Sequence, residues 1–119
     1  MASGGRTPEE LETLLEDAFV LGDASALARL FVRGGVLVAD GGQAEACGRK
    51  QIAQLRMPDR GYLAAPIQVY QFRDTALILG ERAVNVARRG RDGCWRYAIA
   101  VLDQPAGADP ARGGAGSRV

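Results

Sequence analysis

The chain contains no histidine, which removes imidazole acid–base catalysis, the Ser-His-Asp triad and every histidine-bearing metal site. Cysteine is scarce as well: Cys47 and Cys94 are far apart, each in apolar strand-like surroundings. They read as reduced, buried thiols in preference to a disulfide, and no metal site is expected. Proton transfer therefore falls to Asp, Glu, Tyr, Cys or the single lysine, Lys50. No apolar run approaches the roughly 20 residues that span a bilayer. The opening residues, Met1 to Arg6, do not form a signal peptide. Cytoplasmic residence and no membrane partner are the expectation. Charge of one sign is also lacking: 15 Lys and Arg face 14 Asp and Glu, so nothing draws the chain as a whole to nucleic acid.

What is present is one domain's worth of core, since 47% of the 119 residues are hydrophobic. Residues 1–6 read as a flexible leader, 7–104 as the domain and 105–119 as a disordered tail rich in Gly, Ala and Pro. Deleting residues 106–119 is expected to leave the fold intact, with a melting temperature unchanged to within a few degrees.

Thr7-Pro8-Glu9-Glu10 announces a helix, with Thr7 as N-cap, Pro8 in the first turn and Glu10 closing a capping box. Leu11, Leu14, Leu15, Ala18 and Leu21 form its apolar stripe, and Gly22 ends it. Asp23 caps a second helix whose apolar face holds Ala24, Leu27, Leu30 and Phe31, with Gly34-Gly35 as its stop. Val36 to Ala39 is a strand, Asp40-Gly41-Gly42 a turn, and Gln43 to Cys47 the return strand. A short helix follows from Arg49 to Leu55. Ile67 to Phe72, Thr75 to Val86 and Cys94 to Leu102 are strand-like, and Gly80 leaves open whether the middle run is one bent strand or two. Helices segregated from a meander of strands make an α+β protein.

Leu21-Gly22-Asp23 with Leu27 to Phe31, the Gly48-Arg49 helix start, Asp74-Thr75-Ala76-Leu77 and Asp92-Gly93-Cys94-Trp95-Arg96 occur in an order that resembles the nuclear transport factor 2-like superfamily, in its SnoaL-like branch. The resemblance covers residues 7 to about 103 and implies a curled antiparallel sheet wrapped around N-terminal helices. The expected shape is a cystatin-like cone with an internal pocket, commonly paired as a homodimer. It would place a catalytic tyrosine at Leu15, a general base at Ala39 beside Asp40, and strand carboxylates at Asn85 and Ala100. None of these positions carries the residue the family uses, and Arg82 lacks the acid partners of the epoxide hydrolase branch. Catalytic residues stay unassigned.

The candidate ligand-binding residues are Asn85, Tyr70, Arg82, Tyr97, Trp95 and Asp40. Asn85 stands out because a mid-strand amide between Val84 and Val86 must find a partner, in the protein or in a ligand. Trp95 and Tyr97 share a strand parity with Ile99 and Val101, which equally suits a packed core. Asp40 equally suits a turn. Arg88, Arg89 and Arg91 read as a solvated hairpin end without the aromatic interleaving of a nucleic-acid surface.

Two functions remain open. One is a pocket for a small apolar molecule of polyketide, terpenoid or steroid type, with or without a cofactor-free isomerisation, cyclisation or dehydration. The other is a non-catalytic dimeric association or ligand-sequestering module. In either case Leu77, Leu79 and Ala83 on one parity, and Ala76, Ile78, Val84 and Val86 on the other, leave no wet face for the sheet. A second copy of the chain is the simplest cover.

Overall fold

The computed structural model describes residues 4–39, 44–55, 68–80 and 83–102. Among them run α1 (Pro8–Leu21), α2 (Ala24–Arg29), β1 (Phe31–Ala39), β2 (Ala44–Cys47), α3 (Gly48–Ala53), β3 (Gln68–Phe72), β4 (Thr75–Leu79), β5 (Ala83–Arg89) and β6 (Trp95–Leu102). The strands form one curled six-stranded sheet in the order β2-β1-β6-β5-β4-β3, and the helices precede or interrupt it, giving the α+β architecture expected. Every ladder is antiparallel except β1 against β6, which is parallel. The tail from 103 onward, the Asp40 turn and residues 56–67 lie outside the described residues. No described helix is long and apolar enough to cross a membrane.

Local chemistry accounts for the helices. Thr7 Oγ1 accepts the Glu10 N–H at 3.0 Å, while the Glu10 carboxylate reaches back to the Arg6 N–H. Gly22 closes α1 in the left-handed conformation, and Asp23 immediately caps α2 through the Ala26 N–H at 3.0 Å. The segment read as a leader is tied down at Gly5, which exchanges two backbone hydrogen bonds with Trp95 at 3.1 and 2.7 Å.

Four features depart from the sequence reading or complete what it left open, as with the strands after Thr75. The second helix stops at Arg29, and Phe31 begins β1 because its backbone pairs with Tyr97. Gly34-Gly35 is thus no helix stop. It lies where the β1–β6 register slips between Phe31 and Val36. The run from Thr75 is two strands: β4 and β5 pair as a hairpin, and the Gly80 N–H donates to the Ala83 carbonyl at 2.9 Å. The thiols are not buried either, since Cys47 is exposed at the end of β2 and Cys94 half-buried beside the last turn.

The fourth difference decides which residues face inward. Val86 pairs with Ile99 but Ala87 with Tyr97, so Ala98 is an extra residue in β6. That bulge shifts the parity: Trp95 and Tyr97 are buried before it, Ala100 and Leu102 after it, and Ile99 is 44% exposed.

The core is the space between the helices and the inner sheet face, filled by Leu11, Leu15, Leu27, Phe31, Ile52 and Tyr97 among others. Phe31 and Tyr97 set the tightest point of β1. A Cβ on Gly35 would lie 2.9 Å from Phe31 Cδ2 and 3.1 Å from the Tyr97 carbonyl. Phe31 is held against the Tyr97 ring at 5.4 Å between centroids and cannot retreat. Gly35→Ala is therefore expected to destabilise by about 1–3 kcal/mol, read by urea denaturation.

Candidate functional site

Among the described residues, the inner face of the sheet carries a single amide, Asn85, in a largely apolar field. Asn85 on β5 is fully buried, with Ile78 opposite it on β4 and Ala100 opposite it on β6. Positions 85 and 100, which the family resemblance marks for strand carboxylates, are thus cross-strand neighbours. The carboxylate comes from elsewhere. Glu12, 3% exposed, projects from α1 over the sheet, and its Oε2 accepts a hydrogen bond from Asn85 Nδ2 at 2.9 Å. The same oxygen accepts the Tyr97 hydroxyl at 2.5 Å.

Sequence distance makes this a tertiary site. Glu12 is 73 residues from Asn85 and 85 from Tyr97, so only docking α1 across β5 and β6 brings the three together. Two charge-assisted donors on one carboxylate oxygen are about twice as strong individually as neutral pairs. Around them lie Leu11, Leu15, Phe31, Ile78 and Ala100, all fully buried. In that setting the carboxyl group is a proton acceptor or donor held by two oriented partners. Asn85 Oδ1, by contrast, is buried with no hydrogen-bond partner among the described residues.

Of the six sequence candidates, the structure unites Asn85 and Tyr97. Trp95 is buried at the far end of β6, paired to Gly5 and with the Arg89 guanidinium 5.3 Å above its ring, and among the described residues it stands apart from the network. Tyr70 points away: it is 57% exposed on β3, and its hydroxyl donates to Gln68 Oε1 at 3.1 Å. The reason is register, since Tyr70 pairs with the outward Leu77 while Val69 pairs with the inward Ile78. Arg82 and Asp40 lie outside the described residues. Leu15 and Ala39, the other positions the resemblance marks, are a core leucine and the last residue of β1.

Glu12 is the buried polar residue the sequence reading missed. The stripe Leu11, Leu14, Leu15, Ala18, Leu21 places the buried face too far round α1. The observed face is Pro8, Leu11, Glu12, Leu15, Ala18 and Phe19, while Leu21 is 76% exposed. At 100° per residue Glu12 lies beside Pro8 and Phe19. Including Phe19 and Pro8 in the stripe would have carried its edge to within about 20° of this acid.

The arginine-rich hairpin end is separate. Arg89 donates to Asp74 Oδ1 at 2.8 Å through Nε, and Arg96 Nη2 to Asp92 Oδ2 at 2.6 Å. The Arg96 hydrogen bond, aided by the Cys94 N–H, lowers Asp92 from 3.8 to about 2. Because the folded value is depressed, this contribution to stability is present above 3.8 and is lost as pH falls toward about 2. Asp92→Asn should flatten the acid limb of a stability–pH curve in that window and change nothing at neutral pH beyond the loss of one exposed pair.

No protein-family model and no curated protein matches the sequence. Solved structures do. An NTF2-like protein with a cystatin-like fold from Novosphingobium aromaticivorans is 25% identical, with a TM-score of 0.60 over 86% of this chain and 83% of that one. The fold is that of the nuclear transport factor 2-like superfamily. A ketosteroid isomerase-like protein from Erwinia carotovora atroseptica is 19% identical with a TM-score of 0.62, covering 82% of this chain and 94% of that one. ActVI-ORFA from Streptomyces coelicolor is 15% identical with a TM-score of 0.62, covering 79% and 91%. In this chain of NTF2-like fold the buried carboxyl group stands on α1.

Proposed function

We propose that this NTF2-like protein, of SnoaL-like type, holds a small apolar molecule against the inner face of its sheet. Glu12 takes and returns a proton there, and Tyr97 and Asn85 fix its carboxyl group. The observation that carries the reading is the convergence of Tyr97 Oη at 2.5 Å and Asn85 Nδ2 at 2.9 Å on Glu12 Oε2, inside an apolar shell. Isomerisation, cyclisation and dehydration of polyketide-, terpenoid- or steroid-like ketones all begin by removing a proton next to a carbonyl. A positioned carboxylate can do this without a cofactor. A ketosteroid isomerase-like protein of the same fold lends the reaction class its plausibility.

A specific observation favours the alternative. Glu12, Asn85 and Tyr97 are 3%, 0% and 0% exposed, which suits a module whose polar centre locks the core while the protein associates or sequesters a ligand. Deuterium exchange separates the two. With 2-tetralone in D2O, the wild-type protein should accelerate α-hydrogen exchange over buffer, and Glu12→Gln should lose roughly 10²-fold or more of that acceleration. Equal rates in both proteins would remove Glu12 from proton transfer and leave the non-catalytic reading.

The outer face supports a homodimer as part of the same proposal. Leu77, Val84 and Ile99 are 37%, 45% and 44% exposed on adjacent strands, an apolar patch of the kind that marks an interface. The wild type should be a dimer by light scattering at micromolar concentration, and Ile99→Arg a monomer of unchanged circular dichroism. A monomeric wild type would contradict this.

A further inference from the structure

Asn85 is placed among the smallest side chains of the inner face. Ala83 and Ala87 flank it two positions away on β5, Ala100 faces it from β6, and Ala76 lies diagonally on β4, paired with Ala87. All four are buried inward residues. A sheet packed directly by helices normally carries branched or aromatic residues on that face; here it presents a floor of methyl groups around one amide. The amide is half used. Its nitrogen is committed to Glu12, which fixes its orientation, because a flipped amide would set Oδ1 against the carboxylate. Oδ1 is left buried without a donor among the described residues, a condition that native interiors rarely tolerate without a reason. The cross-strand neighbours Ile78 and Ala100 have only apolar side chains to offer.

We infer that the ligand of this site is a hydroxylated apolar molecule whose O–H donates to Asn85 Oδ1, with its hydrocarbon skeleton lying on the alanine floor. This rests on the pocket reading above and narrows it. An acceptor-only ligand gains nothing from Oδ1, and an ammonium would bring a charge into an apolar bed at high desolvation cost. A neutral hydroxyl satisfies the one unmet acceptor. As Asn85 has no exposed surface, binding displaces whatever covers the floor, and the new hydrogen bond compensates for that displacement.

The test is a matched pair of probes, 2-naphthol and 2-methoxynaphthalene, which differ by masking the donor. Titration calorimetry on the full-length wild-type protein should show 2-naphthol binding about tenfold more tightly, the size of one good hydrogen bond to a buried group. The Asn85 side-chain amide signals in a ¹⁵N spectrum should shift with 2-naphthol. Asn85→Leu should bind both probes equally. Should that variant fail to fold, the wild-type affinity ratio and amide shift decide alone. Equal wild-type affinities, or a preference that leaves the Asn85 amide signals unmoved, would overturn the hydroxyl assignment while leaving the pocket intact. No binding of either probe up to its solubility limit would overturn the hydroxyl assignment and the pocket together.

Discussion

Glu12→Ala is expected to lower the free energy of unfolding by about 3–5 kcal/mol, which is exceptional for a single charged residue on a helix. The substitution removes the acceptor that two buried donors share. Tyr97 Oη and Asn85 Nδ2 both end on Glu12 Oε2, and each loses that acceptor while buried. An orphaned buried donor costs roughly 1–3 kcal/mol, so two of them account for most of the effect, and the lost methylene packing supplies the rest. Removing a carboxylate from an apolar interior also relieves its desolvation, which acts in the opposite direction. Alanine, however, puts nothing in its place, so the orphaned donors dominate. Urea denaturation of Glu12→Ala against wild type at neutral pH reads the difference. The exposed neighbour Glu9 gives the control, since Glu9→Ala should stay within about 0.5 kcal/mol.

Tyr97→Ala should cost about 3–5 kcal/mol and Tyr97→Phe about 1–3 kcal/mol, and the gap between them separates packing from hydrogen bonding. Tyr97 is fully buried and stacks at 46° on Phe31. Its backbone N–H donates to the Leu30 carbonyl at 2.8 Å, where β1 begins. Truncation opens a cavity against Phe31 and removes the hydroxyl, whereas phenylalanine keeps the ring and loses the hydroxyl with its Glu12 bond. If the two variants were equally stable, the ring would carry no packing energy, and the Phe31–Tyr97 contact could not organise the start of β1.

The parts of this fold that local chemistry dictates were open to reading from the sequence. Thr7, Pro8 and Glu10 declare the start of α1 because their side chains satisfy its own first turn. Gly22-Asp23 declares the joint with α2 for the same reason. Asn85 could be singled out because an amide in an apolar strand always needs a partner, though which partner depends on an element 73 residues away. What could not be read depends on pairing partners. Phe31 looks like the end of a helix until β6 lies beside it. The bulge at Ala98 reverses the inward parity of β6 without any glycine or proline to mark it, so Ile99 appears to share a face with Tyr97 and does not. Glu12 was hidden differently: a stripe drawn through leucines alone stops short of the edge where Phe19 and Pro8 lie beside the acid.

Under the proposed function the Glu12–Asn85–Tyr97 centre is kept for a ligand and its chemistry, not for stability. The most direct measurement is chemical denaturation of the triple variant Glu12→Leu, Asn85→Leu, Tyr97→Phe, in which every member of the network becomes apolar at similar volume. Replacing a buried polar network whole is often neutral or stabilising, whereas breaking it is costly. The account predicts a triple variant within about 1 kcal/mol of wild type or more stable, with the destabilisation of Glu12→Ala absent. A triple variant that loses more than about 2 kcal/mol would show the network to be structural, and would contradict the central claim.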